Sequence, residues 1–574
     1  MPKHFEQFIE KFSSDFSEKE KIDKNLSITT NENKLITILT ALKEEFGFTI
    51  ILDITAIDYE TYKVQKETQF FIVYILRHKD FLHTVTVKSP VVNPENGVQS
   101  VVNIFRGADW LERETYDQYG INFEGHHNLR RLLNHHQFEG HPLRKSYPIT
   151  KGQMCTKSDD LLEEMNERLS QKGLLKCDHG GAYSEEDDSH MFLNLGPSHP
   201  ASHGTIRTLV ALEGEVIKAA VPEIGYLHRG FEKSCENHTY NQIIPYTDRL
   251  NYCSALSNNI AFAKAVESMI GIQITDRAIA IRVMLMELSR IIDHLVCLAA
   301  NLVDMGALTN YFYLFNPRED AYNFLSKLTG ARLTNSYMRV GGMTHDLYKG
   351  WHKDLKEVLK KVQKGVDDTL SLVAHNRIFH DRSQNISIVT ADEALNYGFT
   401  GPILRASGVP YDMRTTNPYY NYDQLDFDVA IGSTGDVYDR MMVRFEEITQ
   451  SIRIIKQVTK NMPDGAINVD SRSFALPAKP QVYSTIEGAM NQFMLTIEGV
   501  RVPLGERYDA LEAPNGELGF YIVSDGSGTP YKVKVKAPSL LAMSAYAEMI
   551  EGTMIADAVI NLGSLNIIAG EMDR

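Results

Sequence analysis

The sequence predicts an α+β protein of more than one domain, and three observations carry this. At 574 residues the chain exceeds what one hydrophobic core usually fills. Residues 35–90 read as a helix followed by alternating, β-branched strands. Residues 276–304 read as a long helix with one polar and one apolar stripe.

In chain order, LITILTALKEEFG from Leu35 is the first helix, and TIILDITAID, QFFIVYILRH and LHTVTVKSP, ending at Pro90, are strands. With the Arg- and His-rich stretch ending at Pro148 they form a small α+β domain, residues 1–150. Residues 151–189 read as a linker. KSDDLLEEMNERLSQKGLLK is helix-prone and acidic, and CDHGGAYSEEDDSH joins paired glycines to five acidic residues. The sequence leaves open whether the linker helix docks.

Residues 190–574 form the large domain, mostly helical with β-hairpins. It opens with HMFLNL and TIRTLVALEG, where Ile206, Thr208, Val210 and Leu212 alternate; these are the strands of a hairpin whose loop carries His199 and His203. On a wheel of about 100° per residue, Arg282, Glu287, Arg290, Asp293, His294, Asn301 and Asp304 share an arc of roughly 140°. Leu288, Ile291, Ile292, Leu295 and Leu302 lie opposite. Such a stripe is most often a solvated face; it is also what a buried ionic network looks like.

A formal charge of -15 and a pI near 5.7 argue against a nucleic-acid binder, which needs concentrated Lys and Arg. Cys155, Cys177, Cys235, Cys253 and Cys297 form no Cys-x-x-Cys pair, which reads as a reducing compartment without a disulfide framework, cysteine-built zinc site or iron-sulfur cluster. No apolar run approaches the 18 or so residues of a membrane span, and MPKHFEQFIEKFSSDF is too charged for a signal peptide. The chain reads as soluble or peripheral, and cytoplasmic.

In NLGPSHPASHGTIR, a helix would put His199 and His203 on one face and allow them to share a metal, but Gly196, Pro197, Pro200 and Gly204 oppose a helix. What remains is a tight loop that either presents imidazoles from a rigid hairpin or uses them to cap its own backbone. In GHHNLRRLLNHHQFEGHPLRKSYP, His126, His127, His135, His136 and His141 crowd together, but Arg130, Arg131, Arg144 and Lys145 would repel a cation, so a polar docking surface is expected in place of a metal site. Tyr246, Arg249 and Tyr252 in IIPYTDRLNYCS, and Asp525 after a strand, are further polar candidates. No P-loop, G-x-G-x-x-G, H-E-x-x-H or G-x-S-x-G motif is present.

Longer motifs identify a family. ERETYDQYGINFEGHHNLRRLLNHHQFEGHPLRKSYP, Glu112 to Pro148, resembles the signature of the 30-kDa (C) subunit of proton-pumping NADH:quinone oxidoreductase, respiratory complex I. GPSHPASHGTIR, EIGYLHRGFEK, YTDRLNY, RVMLMELSRIIDHL, DMGALT, YMRVGGM, LRASGVPYDMR, GELGFYIVSDG and the final DR resemble the 49-kDa (D) subunit, and both occur here in one chain, as in the fused form of some bacteria.

The resemblance implies a large domain similar to the large subunit of nickel-iron hydrogenases, with the metal site lost: Cys235 stands alone after RGFEK, and GEMDR has no cysteine. It implies that the vacated cavity takes a quinone head group, ubiquinone or menaquinone, with His203 and Tyr252 hydrogen-bonding its carbonyl oxygens and Asp304 partnering His203 in a proton relay. A carboxylate beside that imidazole would favour its protonated form. Arg249 is implied to lie near the terminal [4Fe-4S] cluster of a neighbouring small subunit, where a positive charge raises the cluster's affinity for electrons. The chain itself is expected to hold no cofactor or metal; FMN and iron-sulfur clusters sit on other subunits. Expected partners are that small subunit, a ferredoxin-like iron-sulfur subunit and a membrane quinone-channel subunit, at the cytoplasmic face of the inner membrane.

Three positions depart from the pattern. Asn251 stands where an aspartate is common, and His127 replaces a proline. Thr334 stands where many members have a histidine near the cluster, which predicts a cluster potential less dependent on pH and leans towards menaquinone. Two rival readings are a hydrogenase large subunit holding its own nickel, disfavoured by the missing cysteine pairs, and an assembly scaffold without a site, disfavoured by His203, Tyr252 and Asp304.

Overall fold

The computed structural model describes residues 3–22, 25–154, 161–174, 190–199, 203–470 and 473–574. The acidic part of the expected linker, residues 175–189 with Cys177, lies outside them, as does Cys155. The chain mixes helices and strands in an α+β arrangement.

A helix, α1 (Lys3–Phe12), and strands β1 (Phe16–Ile22) and β2 (Asn25–Thr30) precede α2 (Leu35–Glu44). The three expected strands follow as β3 (Ile50–Asp58), β4 (Phe70–Arg77) and β5 (Thr84–Val91). All five form one sheet in the order β1-β2-β5-β4-β3, in which only β2 and β5 run parallel. The sequence reading missed β1 because FSEKEKI alternates charge with charge and shows no apolar face. Helix α3 (Ala108–Tyr119) packs on β3.

The linker helix, α4 (Leu162–Gln171), docks. Met165 and Leu169, with Leu161 before them, are buried against Leu209, Ala211, Ala219 and Val221. Arg168 and Lys172 both pair with Glu551, and Arg130 reaches Glu167 at 2.8 Å. The expected hairpin is present: β6 (Met191–Leu195) pairs antiparallel with β7 (Arg207–Glu213), and β8 (Val216–Glu223) adds a third strand.

Helices α5 (Tyr240–Thr247), α6 (Ala255–Ile270), α7 (Asp276–Asp304), α8 (Leu308–Thr329), α9 (Trp351–Val373) and α10 (Val437–Lys460) make the helical body. The 29-residue α7 lies at its centre, packed on α8 and α10. Its start is capped by Thr275, whose hydroxyl accepts from the Ala278 N–H. A second antiparallel sheet, β9 (Gly505–Ala513), β10 (Gly516–Ser524) and β11 (Lys532–Lys536), is followed by α11 (Ile555–Leu565) and α12 (Ala569–Asp573).

The polar stripe of α7 is buried. Arg282, Glu287, Arg290, His294 and Asn301 are 0% exposed, so the ionic-network reading holds and the solvated-face reading does not. Arg282 forks onto Glu267 at 2.7 and 2.8 Å. Glu287 accepts from Arg414, Tyr422 and Ser451, while His294 meets Glu447 at 2.8 Å. Arg405 joins Glu447 to Glu512 at 2.7 and 2.8 Å. Buried charges persist only when paired and hydrogen-bonded, and here partners come from α6, α7, α10, β9 and the short helical segments that carry Arg405 and Arg414.

A second buried seam joins the first sheet to β10 and β11. Arg77 pairs with Glu517 at 2.7 Å, Arg574 with Glu114 at 2.8 Å, and Lys534 also pairs with Glu114.

Candidate functional site

The site starts in the hairpin loop. Gly196 has φ +92°, and a Cβ there would sit 2.0 Å from the Ile206 carbonyl oxygen, so the loop's entry requires glycine. Ser198–His199 and Gly204–Thr205 pair as a short ribbon. At its tip His203 takes φ +42°, a left-handed conformation costing a non-glycine residue roughly 1–3 kcal/mol. Gly204, at φ +145°, lies so close to α12 that an added Cβ would be 2.5 Å from the Ala569 side chain. The loop is therefore seated on α12, with His203 directed into the body.

There His203 meets Tyr252. The His203 Nδ1 lies 3.3 Å from the Tyr252 hydroxyl. Tyr252 begins a single 3-10 turn, Tyr252–Ser254, whose preceding Asn251 accepts the Cys253 N–H on its side-chain oxygen at 3.0 Å. The two groups share a cavity of about 370 Å³ with Cys253, Val296, Val303 and Asp304 on one side and α8 on the other. Helix α8 contributes Tyr311, Phe315, Arg318 and Tyr322, spaced i, i+4, i+7 and i+11 along one face. The Tyr311 and Phe315 rings stack at 3.8 Å, and the Arg318 guanidinium sits 4.0 Å over Phe315.

Two polar atoms facing this space have no partner among the described residues: His203 Nε2 and Asp304 Oδ2. Buried polar groups are normally satisfied, so an unpartnered imidazole nitrogen and carboxylate oxygen lining one cavity fit a polar occupant. Burial holds the His203 imidazole below its ordinary range, with Asp293 opposing that shift. Burial pushes Asp304 up to about 6, with His199 pulling it back. Burial, then Cys253, raises the Tyr252 phenol. All three groups are thus biased towards their neutral forms.

The sequence-derived residues divide accordingly. His203, Tyr252 and Asp304 line one cavity, but the carboxylate whose field reaches His203 is Asp293, and the histidine acting on Asp304 is His199. Arg249 is exposed, outside the cavity, near enough to Arg229 that burial and this second cation together lower Arg229. Thr334 is exposed. In the histidine-rich tract, the His126 ring is buried and accepts the Asn128 N–H, and His141 bonds the Asp117 carbonyl at 3.0 Å. Arg131 pairs with Asp117 at 2.8 Å, so part of the tract binds the chain's own backbone and acids. Cys253, Arg318, Tyr322 and the other α8 residues were missed. Their helical spacing was visible in TNYFYLFNPREDAYNF, but aromatic residues at that spacing read as core.

No helix among the described residues is long and apolar enough to cross a membrane. Comparison with known proteins places the chain. Residues 28–153 match the family model described as respiratory-chain NADH dehydrogenase, 30 Kd subunit, and residues 304–574 match the 49 Kd subunit. The NADH-quinone oxidoreductase C/D subunit of Bdellovibrio bacteriovorus is 48% identical over 537 residues, covering 94% of this chain and 93% of that protein. The D subunits of the same enzyme from Myxococcus xanthus and Pelobacter propionicus are 50% and 48% identical, each covering 68% of this chain and 96% of the relative. Carrying both subunit regions and aligning nearly end to end with a C/D relative, the chain belongs to the fused C/D subunits of NADH-quinone oxidoreductase, respiratory complex I, and is one subunit of that oxidoreductase complex.

Proposed function

We propose that this chain forms much of the quinone head-group site of the complex, and that His203 and Tyr252 bond the two carbonyl oxygens. The observation that carries the reading is the shared cavity, in which His203 and Tyr252 touch and two polar atoms have no partner among the described residues. At 3.3 Å their mutual contact is long for a hydrogen bond, and a carbonyl oxygen offers each a better partner. The rings of Tyr311, Phe315 and Tyr322 supply the flat apolar surface a quinone ring requires.

Reducing a quinone takes two electrons and two protons. The electrons come from the terminal [4Fe-4S] cluster on a neighbouring small subunit. The protons come from this chain: the His203 imidazole, which burial keeps neutral at rest, takes up a proton by way of Asp304 and His199 and passes it to the quinone, and the phenol of Tyr252 gives the other. Burial of these groups keeps competing water out and makes their hydrogen bonds stronger. Arg249 and Arg229, side by side on an exposed face, present positive charge to the cluster-bearing subunit.

In the same reading residues 1–150 and 190–574 are the C-like and D-like domains, joined by residues 151–189. The large domain is hydrogenase-like with its metal site vacated, and Cys235 is its one remaining cysteine after RGFEK. The surroundings, at the cytoplasmic face of the inner membrane, are filled by a ferredoxin-like subunit and a membrane quinone-channel subunit, with menaquinone favoured over ubiquinone by Thr334. Quinone reduction drives proton translocation elsewhere in the complex.

Tyr252→Phe tests this. Quinone reduction by the assembled complex should slow while NADH still reduces the cluster. A normal rate in both Tyr252→Phe and His203→Ala would leave the chain a scaffold.

A further inference from the structure

We propose that Asp293 is a positioning residue for the quinone pair: with Asn251 it forms a couple carrying one negative charge, which holds the turn bearing Tyr252 and faces His203. This rests on the quinone-site reading and goes beyond it.

Asp293 is 1% exposed on α7. Each of its carboxylate oxygens receives one amide: Asn251 Nδ2 at 2.9 Å on Oδ1, and Asn566 Nδ2 at 2.8 Å on Oδ2. No lysine or arginine among the described residues lies within 4.0 Å, and the nearest basic atom, His294 Nδ1 at 3.7 Å, belongs to a ring whose Nε2 already meets Glu447. A carboxylate this deep, with a neutral amide on each oxygen and no lysine or arginine in direct contact, keeps part of its field uncancelled, and that field reaches His203.

Neither amide is free to turn. The Asn251 side-chain oxygen accepts the Cys253 N–H at 3.0 Å, which leaves its NH₂ facing Asp293. The Asn251 carbonyl in turn accepts from Asn258 at 2.9 Å. Asn566, left-handed at φ +54° after α11, exchanges hydrogen bonds with Asn515 at 3.1 and 2.6 Å. Asp293 thus anchors the turn from Asn251 to Cys253 on one side and the end of α11 on the other, and Tyr252 projects between two of those fixed points.

The groups facing the couple come from every neighbouring element. Tyr252 and Cys253 lie on the turn, and Tyr322 with Arg318 on α8. Cys297 and His294 are on α7 itself, Arg444 and Glu447 on α10 beyond them, and Glu571 is on α12. His203 comes from the hairpin loop. Burial raises the Glu571 carboxyl to about 7, with Asp293 adding to the shift, so the couple's charge acts on that carboxyl as well. His203 is the group among them that both faces the quinone and gains charge when protonated, and the couple's charge favours its holding a proton. The expected departure at Asn251 is answered across the gap: the carboxylate is on α7, and the residue before Tyr252 supplies the amide.

The test is quinone reduction against pH in the assembled complex, with NADH oxidation by a hydrophilic acceptor as the assembly control. Asp293→Asn removes the charge and keeps a hydrogen-bonding amide. The alkaline fall in rate should move down by about one pH unit. Exchanging the pair, Asn251→Asp with Asp293→Asn, restores one carboxylate and one amide and should return the fall to its original pH, whereas Asn251→Asp alone crowds two carboxylates and should not. An unmoved fall in Asp293→Asn, a drop of equal size at all pH, or a double variant no better than either single one overturns the proposal. Failure of the underlying reading looks different: His203→Ala then leaves both rate and pH profile as in the parent, which overturns both together.

Discussion

Gly204→Ala is the sharpest probe of how the loop aims His203. The added Cβ would lie 2.5 Å from the Ala569 Cβ and 3.0 Å from a Leu227 methyl, where ordinary contact begins at 3.4 Å. Ala569 belongs to the buried start of α12, so the loop must give way, by roughly 1 Å. A displacement of that size at a reacting group costs about 100-fold in rate. The φ of +145° adds backbone strain, so Gly214→Ala is the matching control: Gly214 is at φ +62° in the β7–β8 turn, with nothing within 4 Å of its would-be Cβ. NADH:quinone reduction in Gly204→Ala should fall about 100-fold while NADH oxidation by a hydrophilic acceptor persists, and Gly214→Ala should retain both. Equal quinone rates in the two variants would refute the view that seating on α12 aims His203.

Two further outcomes follow from the buried contacts. Removing one partner of a buried ion pair costs about 3–5 kcal/mol, so Glu447→Ala, which strips His294 of its carboxylate and leaves Arg405 with Glu512 and Asp412, should show a loss of that order in urea-dependent proteolysis of α7 and α10. Burial would raise the Glu447 carboxyl, but Arg405 and His294 more than offset it and hold it well below 4.5. Its stabilisation is therefore complete above about pH 4.5 and lost as pH falls through the lower folded value; Glu447→Gln should flatten that acid loss, and an unchanged acid limb would count against the pairing. Leu169→Ala should cost about 2–5 kcal/mol locally, because the side chain is 0% exposed against the β7–β8 sheet. Hydrogen exchange should speed up across residues 162–171 and stay slow in α7, and unaltered protection would show that α4 is held by its ion pairs alone.

Where apolar periodicity was strong, the fold was legible. LITILTALKEEFG, the strands through Pro90, the His199/His203 hairpin and the 276–304 helix stand where the pattern put them. It failed where polar residues are buried. KVKVK alternates like a half-exposed strand, yet Lys532, Lys534 and Lys536 are 2–3% exposed, because Tyr119 and Glu114, from segments far away in sequence, meet Lys532 and Lys534, and the Glu517 carbonyl of the neighbouring strand accepts from Lys536. The stripe on α7 offered the same ambiguity, and only its neighbours removed it.

The site divides along the same line. Motifs in the sequence singled out His203, Tyr252 and Asp304, and nothing in their spacing revealed that they line one cavity or that α8 closes it. Asp293 was visible only as one acid among several on a helix. Local pattern determines which residues share a face, since that depends on backbone geometry a few residues apart. Which charge faces which proton depends on burial and on partners some 40 to 270 residues away, as Asn251 and Asn566 are from Asp293, and that is settled only when the chain has packed.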